Sequence, residues 1–437
     1  MKTDLIIIGS GPGGYKAAEY AAKKGLTVVV FEGAYAGGTC LNCGCIPTKT
    51  FCHEASLETK DFTKATLRKN EVVNMLRNGV EQLMAAPGIT FIKGWARLAD
   101  SHTVICVTDS SEETYTADYI IIATGSKAKI PPIDGITSPN VVTSTELLNI
   151  DFVPKNLVIV GAGVIGLEFA SIFNRFGSTV TVVEFMKECL PAMDTDIAKR
   201  LRKSLEKQGI TFYMQAGVKT INEQNVIFER KGKDVSIPAD IVLIATGRQA
   251  NTDGLCLDAA GIEESKTGII VDENMRTNVN NIFAIGDVNG KCLLAHAATM
   301  QGIKAVNNIL KEKGIDATDN IRLDIMPAAV FTTPEAAGVG YTEEQCKQQG
   351  LDYRCLKSFY RANGKALSMN ETDGIVKLII NSDNRIIGAH VLGPHAADIV
   401  QEVTVLMNFN ATLSQLKDIV HIHPTLSETL HDVQDYS

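Results

Sequence analysis

Three cysteines near the amino terminus lie within six residues, in the stretch GGTCLNCGC. Cys40 and Cys43 form a C-x-x-C pair, a spacing that suits both a disulfide and thiol–disulfide exchange. In a regular helix the Cα atoms of Cys40 and Cys45 would be about 8.6 Å apart, which is farther than the Cα–Cα distance that a disulfide usually tolerates. These two can pair only if the backbone bends between them, and Asn42 and Gly44 permit such a bend. The stretch therefore predicts redox chemistry and leaves two pairings open.

A metal site is the alternative interpretation of this stretch, because Cys52 and His53 add further soft ligands nearby. A structural zinc site usually combines two separated ligand pairs, and the sequence has no second C-x-x-C. We therefore expect no metal. The six cysteines beyond residue 52 stand singly and are predicted to be inert thiols.

A second group of reactive side chains is found in HIHPTLSE, close to the carboxyl terminus. Thiol–disulfide exchange requires a base to form the attacking thiolate and an acid for the leaving sulfur. An imidazole such as that of His423 titrates near neutrality, and Glu428 could orient it. The segment Thr425 to Glu428 also has the pattern of a helix capping box, so Glu428 could serve both roles. For His421 we favour a structural role.

Two glycine-rich turns predict nucleotide sites. The first follows the apolar run TDLIII and precedes a helical pattern and a second strand, an arrangement typical of a β-α-β unit. It contains Gly9, Gly11 and Gly14, and Glu32 lies 23 residues after the first glycine, where a carboxylate can accept ribose hydroxyls. Such glycines let the backbone approach a pyrophosphate at a helix start.

The second turn repeats this plan with Gly161, Gly163 and Gly166, and Glu184 again follows after 23 residues. No arginine follows Glu184 in residues 185–187 to receive a 2′-phosphate, which favours NAD over NADP. The strand patterns YIIIATGS and DIVLIATGR form a further internal repeat. The strand-like and helical segments from about residue 326 onward predict a separate α+β domain.

Composition limits the possible partners. The chain has 437 residues, 45% hydrophobic residues and a formal net charge of -8, which predicts several domains and argues against nucleic-acid and anionic-membrane partners. The sequence shows no apolar run long enough to span a membrane. The N-terminal residues have no leader-like pattern, so we expect a cytoplasmic protein.

The chain resembles the flavin- and pyridine-nucleotide-dependent disulfide oxidoreductases over nearly its whole length. The resemblance rests on GSGPGGYKAA, GGTCLNCGCIPTK, IIIATGS, GAGVIGLEFA, TNVNNIFAIGD, PEAAGVGYTE and HIHPTLSE, in the family's order. In that pattern the redox pair is Cys40 and Cys45, and Cys43 occupies a position that is usually aliphatic. Cys40 would exchange with the substrate, Cys45 would pass electrons to the flavin, and His423 with Glu428 would act on Cys40 of the other subunit.

The resemblance also implies the fold and the cofactor residues. It predicts an α/β homodimer with two Rossmann-like three-layer domains, for FAD and NAD, and a C-terminal α+β dimerisation domain. The predicted segments are 1–144 (FAD, first part), 145–264 (NAD), 265–325 (return to the FAD and central region) and 326–437 (dimerisation). Lys49 and Glu168 would form an ion pair beside the flavin, while Asp287 and the Ala295 backbone would contact it. Further cofactor contacts are expected at Thr39, Thr124, Gly125, Val218 and Gly247.

Within the family the motifs are most similar to those of dihydrolipoyl dehydrogenases, which implies a lipoyl-bearing protein or a small dithiol as substrate. The segment from Cys52 to Trp95 is shorter than is usual in that group. A different disulfide reductase or a mercuric reductase, or a non-catalytic flavin-binding protein, is the alternative, although the last residues, HDVQDYS, lack the paired cysteines of mercuric reductases.

Overall fold

The computed structural model describes residues 2–435. It contains two compact units, each assembled from separate stretches of the chain. The first unit comprises residues 1–51, 63–129 and 247–323, and the second comprises residues 52–62, 130–246 and 324–437. The carboxyl-terminal residues of the HDVQDYS segment, 436 and 437, lie outside the described part of the chain.

A seven-stranded sheet forms the centre of the first unit. Its main path runs through Ile89–Lys93, Val28–Glu32, Lys2–Ile8, Glu112–Ile122, Thr103–Val107 and Trp95–Leu98, and Ile282–Ala284 pairs with Glu112–Ile122. The two strands of the predicted β-α-β unit are parallel neighbours, and Leu5, Ile6 and Ile7 are completely buried. Burial on both faces explains why this strand is a continuous apolar run rather than an alternating one.

Two helices of the first unit pack closely because glycines lie at their contact. They are Pro12–Lys23 and Ala295–Glu312. A Cβ on Gly13 would lie 3.0 Å from the Ala298 carbonyl oxygen, and one on Gly302 would lie 2.9 Å from the Gly13 carbonyl oxygen. The remaining elements that include residues of this unit are Gly38–Cys43, Cys45–Ser56, Phe62–Met84, Ser126–Ala128, Arg248–Ala250, Leu257–Ala260, Glu264–Ser265, Gly268–Ile269 and Gly286–Asn289.

The second unit contains a parallel sheet that repeats this plan. Its strand order is Thr211–Met214, Thr179–Glu184, Asn156–Val160, Ile241–Ile244 and Val141–Val142. The helices of this part are Ser144–Leu147, Val164–Phe176 and Thr195–Lys207. An antiparallel three-stranded sheet is formed by Ala216–Ile221, Asn225–Arg230 and Lys233–Pro238.

The same unit ends in a six-stranded sheet with the order Ala328–Val330, Ala336–Gly340, Ile386–Leu392, Ile375–Asn381, Tyr353–Phe359 and Gln434–Asp435. All of its strand pairs are antiparallel. The accompanying helices are Glu343–Gln349, Tyr360–Ala362, Gly364–Ser368, Ala396–Asn408, Leu413–Lys417 and Glu428–His431. Strands and helices follow each other here without a glycine-rich nucleotide turn, as the sequence predicted for an α+β region.

Candidate active site

The redox segment bends between Cys40 and Cys45. The helix Gly38–Cys43 ends at Gly44, whose φ of -141° and ψ of -116° are not helical, and the next helix begins at Cys45. A Cβ on Gly44 would lie 2.9 Å from the carbonyl oxygen of Thr39 and 3.2 Å from the Cα of Cys40. The bend that a Cys40–Cys45 pair requires is therefore present, and it depends on the absence of a side chain at residue 44.

The bend brings the two predicted redox thiols together. The hydrogen bond with Cys45, and then burial, raise the pKa of the Cys40 thiol, whereas the positive charge of Lys49 acts in the opposite direction. Cys45 is exposed, while Cys40 and Cys43 are half-buried.

Asn42 fixes the segment that carries these cysteines. Its Nδ2 donates to the carbonyl oxygens of Ala36 at 3.0 Å and Gly38 at 2.9 Å, and its Oδ1 accepts from Arg77 Nε at 2.7 Å. The Arg77 guanidinium lies 4.4 Å from the ring centroid of Tyr35. The sequence identified Asn42 as a residue that permits a bend but gave no signal for Arg77, which lies 35 positions away.

His423 and Glu428 form a hydrogen-bonded pair. Nδ1 of His423 lies 2.8 Å from Glu428 Oε1, and the other carboxylate oxygen accepts from the Thr425 backbone N–H at 2.7 Å. The Thr425 hydrogen bond, followed by that with His423, lowers the pKa of Glu428. Glu428 thus both binds the imidazole and accepts from a backbone donor. The capping box predicted for Thr425 to Glu428 is only half formed, because the helix begins at Glu428 and the Thr425 hydroxyl donates to the Ile422 carbonyl oxygen. The His423 side chain is 79% exposed, so its Nε2 is accessible for proton transfer.

His421 has a second carboxylate partner. Its Nε2 lies 2.8 Å from Glu402 Oε1, its Nδ1 lies 3.1 Å from the Ile419 carbonyl oxygen, and its side chain is only 7% exposed. These contacts agree with a structural role. Glu402 comes from the helix Ala396–Asn408, and sequence reasoning missed it because it belongs to no recognisable motif.

The first glycine turn has the geometry of a dinucleotide cradle. Gly9 has a φ of +103°, and its Cβ would lie 2.4 Å from the Ala123 carbonyl oxygen, while a Cβ on Gly14 would lie 2.0 Å from the Gly9 carbonyl oxygen. At Gly11, by contrast, a Cβ would meet no described atom within 4 Å, and this open side is at the start of the helix Pro12–Lys23. An anionic pyrophosphate suits that position.

The second turn has the same two close backbone approaches as the first. Gly161 has a φ of +108°, its Cβ would lie 2.4 Å from the Ala245 carbonyl oxygen, and a Cβ on Gly166 would lie 2.1 Å from the Gly161 carbonyl oxygen. Gly163 is open, as Gly11 is in the first turn. The two turns therefore meet the requirements of two dinucleotide sites.

The acidic residue after each turn is held by backbone donors. Glu32 accepts from the Ser10 backbone N–H at 2.9 Å, from the Ser10 hydroxyl at 2.7 Å and from the Ala34 N–H at 2.9 Å. Glu184 accepts from the Ala162 N–H at 2.6 Å and from the Met186 N–H at 2.7 Å. Each carboxylate thus lies against its glycine turn, where a ribose would follow the pyrophosphate.

Asp287 belongs to a polar network in the first unit. It follows the strand Ile282–Ala284 and accepts from the Ser126 hydroxyl at 2.5 Å, and that hydroxyl accepts from Arg248 Nε at 2.7 Å. Sequence reasoning missed both Ser126 and Arg248. They meet because the short strands Ser126–Ala128 and Arg248–Ala250 pair with each other.

The same strand pair positions three more of the predicted cofactor residues. Thr124 and Gly125 precede Ser126–Ala128, and Gly247 precedes Arg248–Ala250. The Thr124 hydroxyl donates to the Asn251 carbonyl oxygen at 2.7 Å. Gly125 and Gly247 have φ values of +70° and +114°, which a glycine tolerates better than other residues.

The remaining predicted residues lie on several elements. Thr39 is exposed in the helix Gly38–Cys43, Lys49 lies one turn after Cys45, and Val218 belongs to Ala216–Ile221. Ala295 is the first residue of Ala295–Glu312. Glu168 is buried in Val164–Phe176 and accepts from the Phe331 N–H at 2.9 Å. The ion pair between Lys49 and Glu168 stays a prediction.

The described part of the chain contains neither a cluster of metal ligands nor a candidate membrane span. Among the side chains that the structure describes, no group of three or more from His, Cys, Asp or Glu has the arrangement of a metal site. None of the described helices is both long enough and apolar enough to cross a membrane.

Comparison with known proteins gives two family matches. The family described as "Pyridine nucleotide-disulphide oxidoreductase" matches residues 3–302, and its dimerisation domain matches residues 326–434. A dihydrolipoyl dehydrogenase of Geobacillus stearothermophilus is 38% identical, over 98% of this chain and 94% of that protein. A leghemoglobin reductase of Glycine max is 36% identical, over 99% of this chain and 87% of that protein.

A solved structure is similar over the whole chain. It is the HOCl-induced flavoprotein disulfide reductase RclA from Escherichia coli, with a TM-score of 0.89 and 36% sequence identity. The match covers 98% of this chain and 99% of that one.

Proposed function

Because the chain belongs to the pyridine nucleotide-disulphide oxidoreductase family, we propose that it oxidises a dihydrolipoyl group with NAD⁺, giving a lipoyl disulfide and NADH. The observation that carries this proposal is the pairing of Cys40 with Cys45 across the bend at Gly44. The hydrogen-bonded His423 and Glu428 supply the acid–base function that dithiol oxidation requires.

In the proposed reaction Nε2 of His423 takes the proton of one substrate thiol. The resulting thiolate attacks the Cys40 sulfur of the Cys40–Cys45 disulfide, and Cys45 leaves as a thiolate. The second substrate thiol then attacks the substrate sulfur that is bound to Cys40 and closes the lipoyl disulfide, while Cys40 leaves and takes up the proton that the second thiol gives up. Glu428 holds the imidazole while it carries the proton. FAD held by the first glycine turn would supply the two-electron acceptor for the reduced Cys40–Cys45 pair, and NAD⁺ held by the second turn would be the final acceptor.

The proposed cofactor residues form two groups. For FAD they are Gly9, Gly11, Gly14, Glu32, Thr39, Lys49, Thr124, Gly125, Asp287 and Ala295, with Glu168 pairing with Lys49. For NAD they are Gly161, Gly163, Gly166, Glu184, Val218 and Gly247. The open sides of Gly11 and Gly163 support the two pyrophosphate positions. We keep the segments 1–144, 145–264, 265–325 and 326–437 as the proposed domain boundaries.

We further propose a homodimer that acts in the cytoplasm. Apolar side chains are exposed in the region that matches the dimerisation domain, among them Phe409, Val420 and Ile422. Val420 and Ile422 flank His421 and lie within three residues of His423. A second subunit covering them would bury apolar surface and let His423 act on Cys40 of the partner subunit. Sedimentation equilibrium of the purified protein tests the dimer, and a monomer at micromolar concentration would contradict it.

A second candidate is the reduction of a different disulfide. This chain covers 99% of the Escherichia coli flavoprotein disulfide reductase but 87% to 95% of the curated relatives, most of which are dihydrolipoyl dehydrogenases. The shorter segment between Cys52 and Trp95 is consistent with a substrate approach that differs from that of the dehydrogenases.

The experiment that separates the two candidates is a turnover assay of the purified flavoprotein. Dihydrolipoamide with NAD⁺ is compared with NADH and a panel of disulfides that includes glutathione disulfide. We expect the highest kcat/KM with dihydrolipoamide. Efficient reduction of another disulfide, together with negligible dihydrolipoamide oxidation, would favour the second candidate.

A further inference from the structure

A basic cavity of about 210 Å³ lies within the second unit. Arg200, Lys203, Ser204 and Lys207 line one side of it, and Arg361 and Asp373 line the other. None of these residues belongs to the redox segment, the glycine turns or the His423 pair. The cavity thus brings four cationic side chains and one carboxylate together in a chain whose net charge is -8.

The cations come from two separate elements. Arg200, Lys203 and Lys207 occupy successive turns of the helix Thr195–Lys207, with spacings of three and four residues that place them on one face. Lys207, in the last turn, is also favoured there by the helix dipole. Arg361 comes from the turn Tyr360–Ala362 and gains nothing from that dipole. The helix dipole therefore does not explain why Arg361 lines the same cavity as the three cations of the helix.

Some of these charges already have partners. Arg200 Nε lies 2.8 Å from Asp196 Oδ1, and Lys207 Nζ lies 3.3 Å from Asp373 Oδ2. Lys203 and Arg361 form no ion pair with any side chain that the structure describes. Asp373, the one carboxylate of the cavity lining, is thus neutralised by Lys207, which leaves an excess of positive charge.

One aromatic ring, that of Phe359, contacts both guanidinium groups. The ring centroid of Phe359 lies 4.7 Å from Arg361 Cζ and 6.0 Å from Arg200 Cζ. Cation–π contacts of this kind hold guanidinium groups in place. The lining also includes the hydroxyls of Ser204 and Thr372. The cavity lining thus contains two guanidinium groups, two ammonium groups and two hydroxyl groups.

We propose that the basic cavity binds the oligophosphate group of a small molecule. Arginine forks match phosphate oxygens in pairs, and lysine supplies further positive charge. A water molecule takes up about 30 Å³ in the liquid, so a cavity of about 210 Å³ has the volume of about seven water molecules and can admit a polyatomic anion. Such a ligand would compensate the charges of Lys203 and Arg361, which have no carboxylate partner among the described side chains, better than a single monovalent anion would.

The test is isothermal titration of the FAD-loaded enzyme with inorganic tripolyphosphate and, separately, with ATP. Saturating NAD⁺ in every titration occupies the nicotinamide dinucleotide site. The variants are Lys203→Gln and Arg361→Gln, both at exposed positions. Lys233→Gln is the matched control, because this exposed lysine of the same unit does not line the cavity.

We expect tripolyphosphate to bind, and each cavity variant to weaken it by ~10-fold or more, the scale of a lost charge-assisted hydrogen bond. Lys233→Gln should bind as the unsubstituted enzyme does, and added salt should weaken binding. Tighter binding of ATP than of tripolyphosphate would identify a nucleotide as the ligand, and the reverse would identify an inorganic oligophosphate. Absence of binding by both, or equal binding in the cavity variants and the control, would overturn the proposal.

Discussion

Cys43 distinguishes the redox segment from the usual pattern of its family. If the working pair is Cys40 and Cys45, Cys43→Val should retain most dithiol turnover, because an aliphatic residue is usual at that position. Cys40→Ser or Cys45→Ser should abolish dithiol turnover, because each removes one half of the disulfide. Peptide mapping of the oxidised enzyme under thiol-blocking conditions identifies the bridge. A dominant bridge between Cys40 and Cys43, with Cys45 alkylated, would contradict the assignment.

His423 is expected to act on the thiol half of the reaction alone. His423→Ala should lower dithiol turnover by ~10²-fold or more, the usual scale for a positioned acid–base group. Reduction of the bound flavin by NADH involves no substrate thiol and should change much less. Stopped-flow measurement of both half-reactions provides the comparison. Equal slowing of the two would show that the substitution disturbs the fold rather than proton transfer.

Glu184 is expected to set the cofactor preference. Its carboxylate is held by the Ala162 and Met186 backbone donors and would repel a 2′-phosphate, so kcat/KM for NADH should exceed that for NADPH by ~10-fold or more. Glu184→Gln keeps an acceptor oxygen but removes the negative charge, so the ratio of kcat/KM for NADH to kcat/KM for NADPH should fall. Initial-rate kinetics with both cofactors measure it. Equal kcat/KM values for the unsubstituted enzyme would disprove the inference.

At the scale of elements, the parts that were predictable from sequence are those encoded locally. The glycine turns follow buried strands and begin helices, so residue spacing alone was enough to predict the turns at Gly9 and Gly161. The predicted fold class, family and use of FAD and NAD are confirmed. The contacts of Asn42 with Arg77 and of Ser126 with Arg248 join residues 35 and 122 positions apart. Such pairs depend on how elements pack, which periodicity does not encode.

The bend at Gly44 is an element-scale feature with a clear test. Gly44→Ala would place a Cβ 2.9 Å from the Thr39 carbonyl oxygen, so the bend must open. We expect a loss of ~1–3 kcal/mol in local stability and a large loss of dithiol turnover. Gly79→Ala is the control, since this glycine lies inside the helix Phe62–Met84, and an added Cβ there would meet no described atom within 4 Å apart from the backbone of its own helix.

Thermal unfolding and turnover assays of both variants make the comparison. Gly79→Ala should be neutral or slightly stabilising, because alanine is the better helix former. If Gly44→Ala retained full dithiol turnover, the close approach at residue 44 would not be needed for the Cys40–Cys45 pair.

At the scale of the whole molecule, a buried ionic cluster joins distant parts of the second unit. Lys377 is 1% exposed, and its Nζ lies 2.8 Å from Asp194 Oδ2 and 2.7 Å from Glu343 Oε2. Burial opposes the charge of Lys377, but the hydrogen bonds with these two carboxylates outweigh it and raise the pKa of the lysine. Lys347, which is exposed, binds the other oxygen of Glu343 at 2.7 Å.

Hydrogen bonds from Lys347 and then Lys377 lower the pKa of Glu343 from 4.5 to about 2. A carboxyl group whose pKa is lower in the folded state stabilises the fold above its unfolded pKa. That contribution is lost as the pH falls through the folded value. The cluster should therefore weaken between about pH 4.5 and pH 2.

The two lysines on Glu343 provide a matched pair of substitutions. Lys377→Met removes the cation from between two carboxylates, leaving Asp194, which is 0% exposed, as an uncompensated buried charge. Breaking a buried pair in this way costs ~3–5 kcal/mol, which corresponds to a fall in Tm of ~3 °C or more for a chain of 437 residues. Lys347→Met removes an exposed partner of the same glutamate and should leave Tm nearly unchanged. Calorimetry of the FAD-loaded variants at neutral pH measures both, and equal shifts in Tm would show that burial adds nothing to the contribution of Lys377.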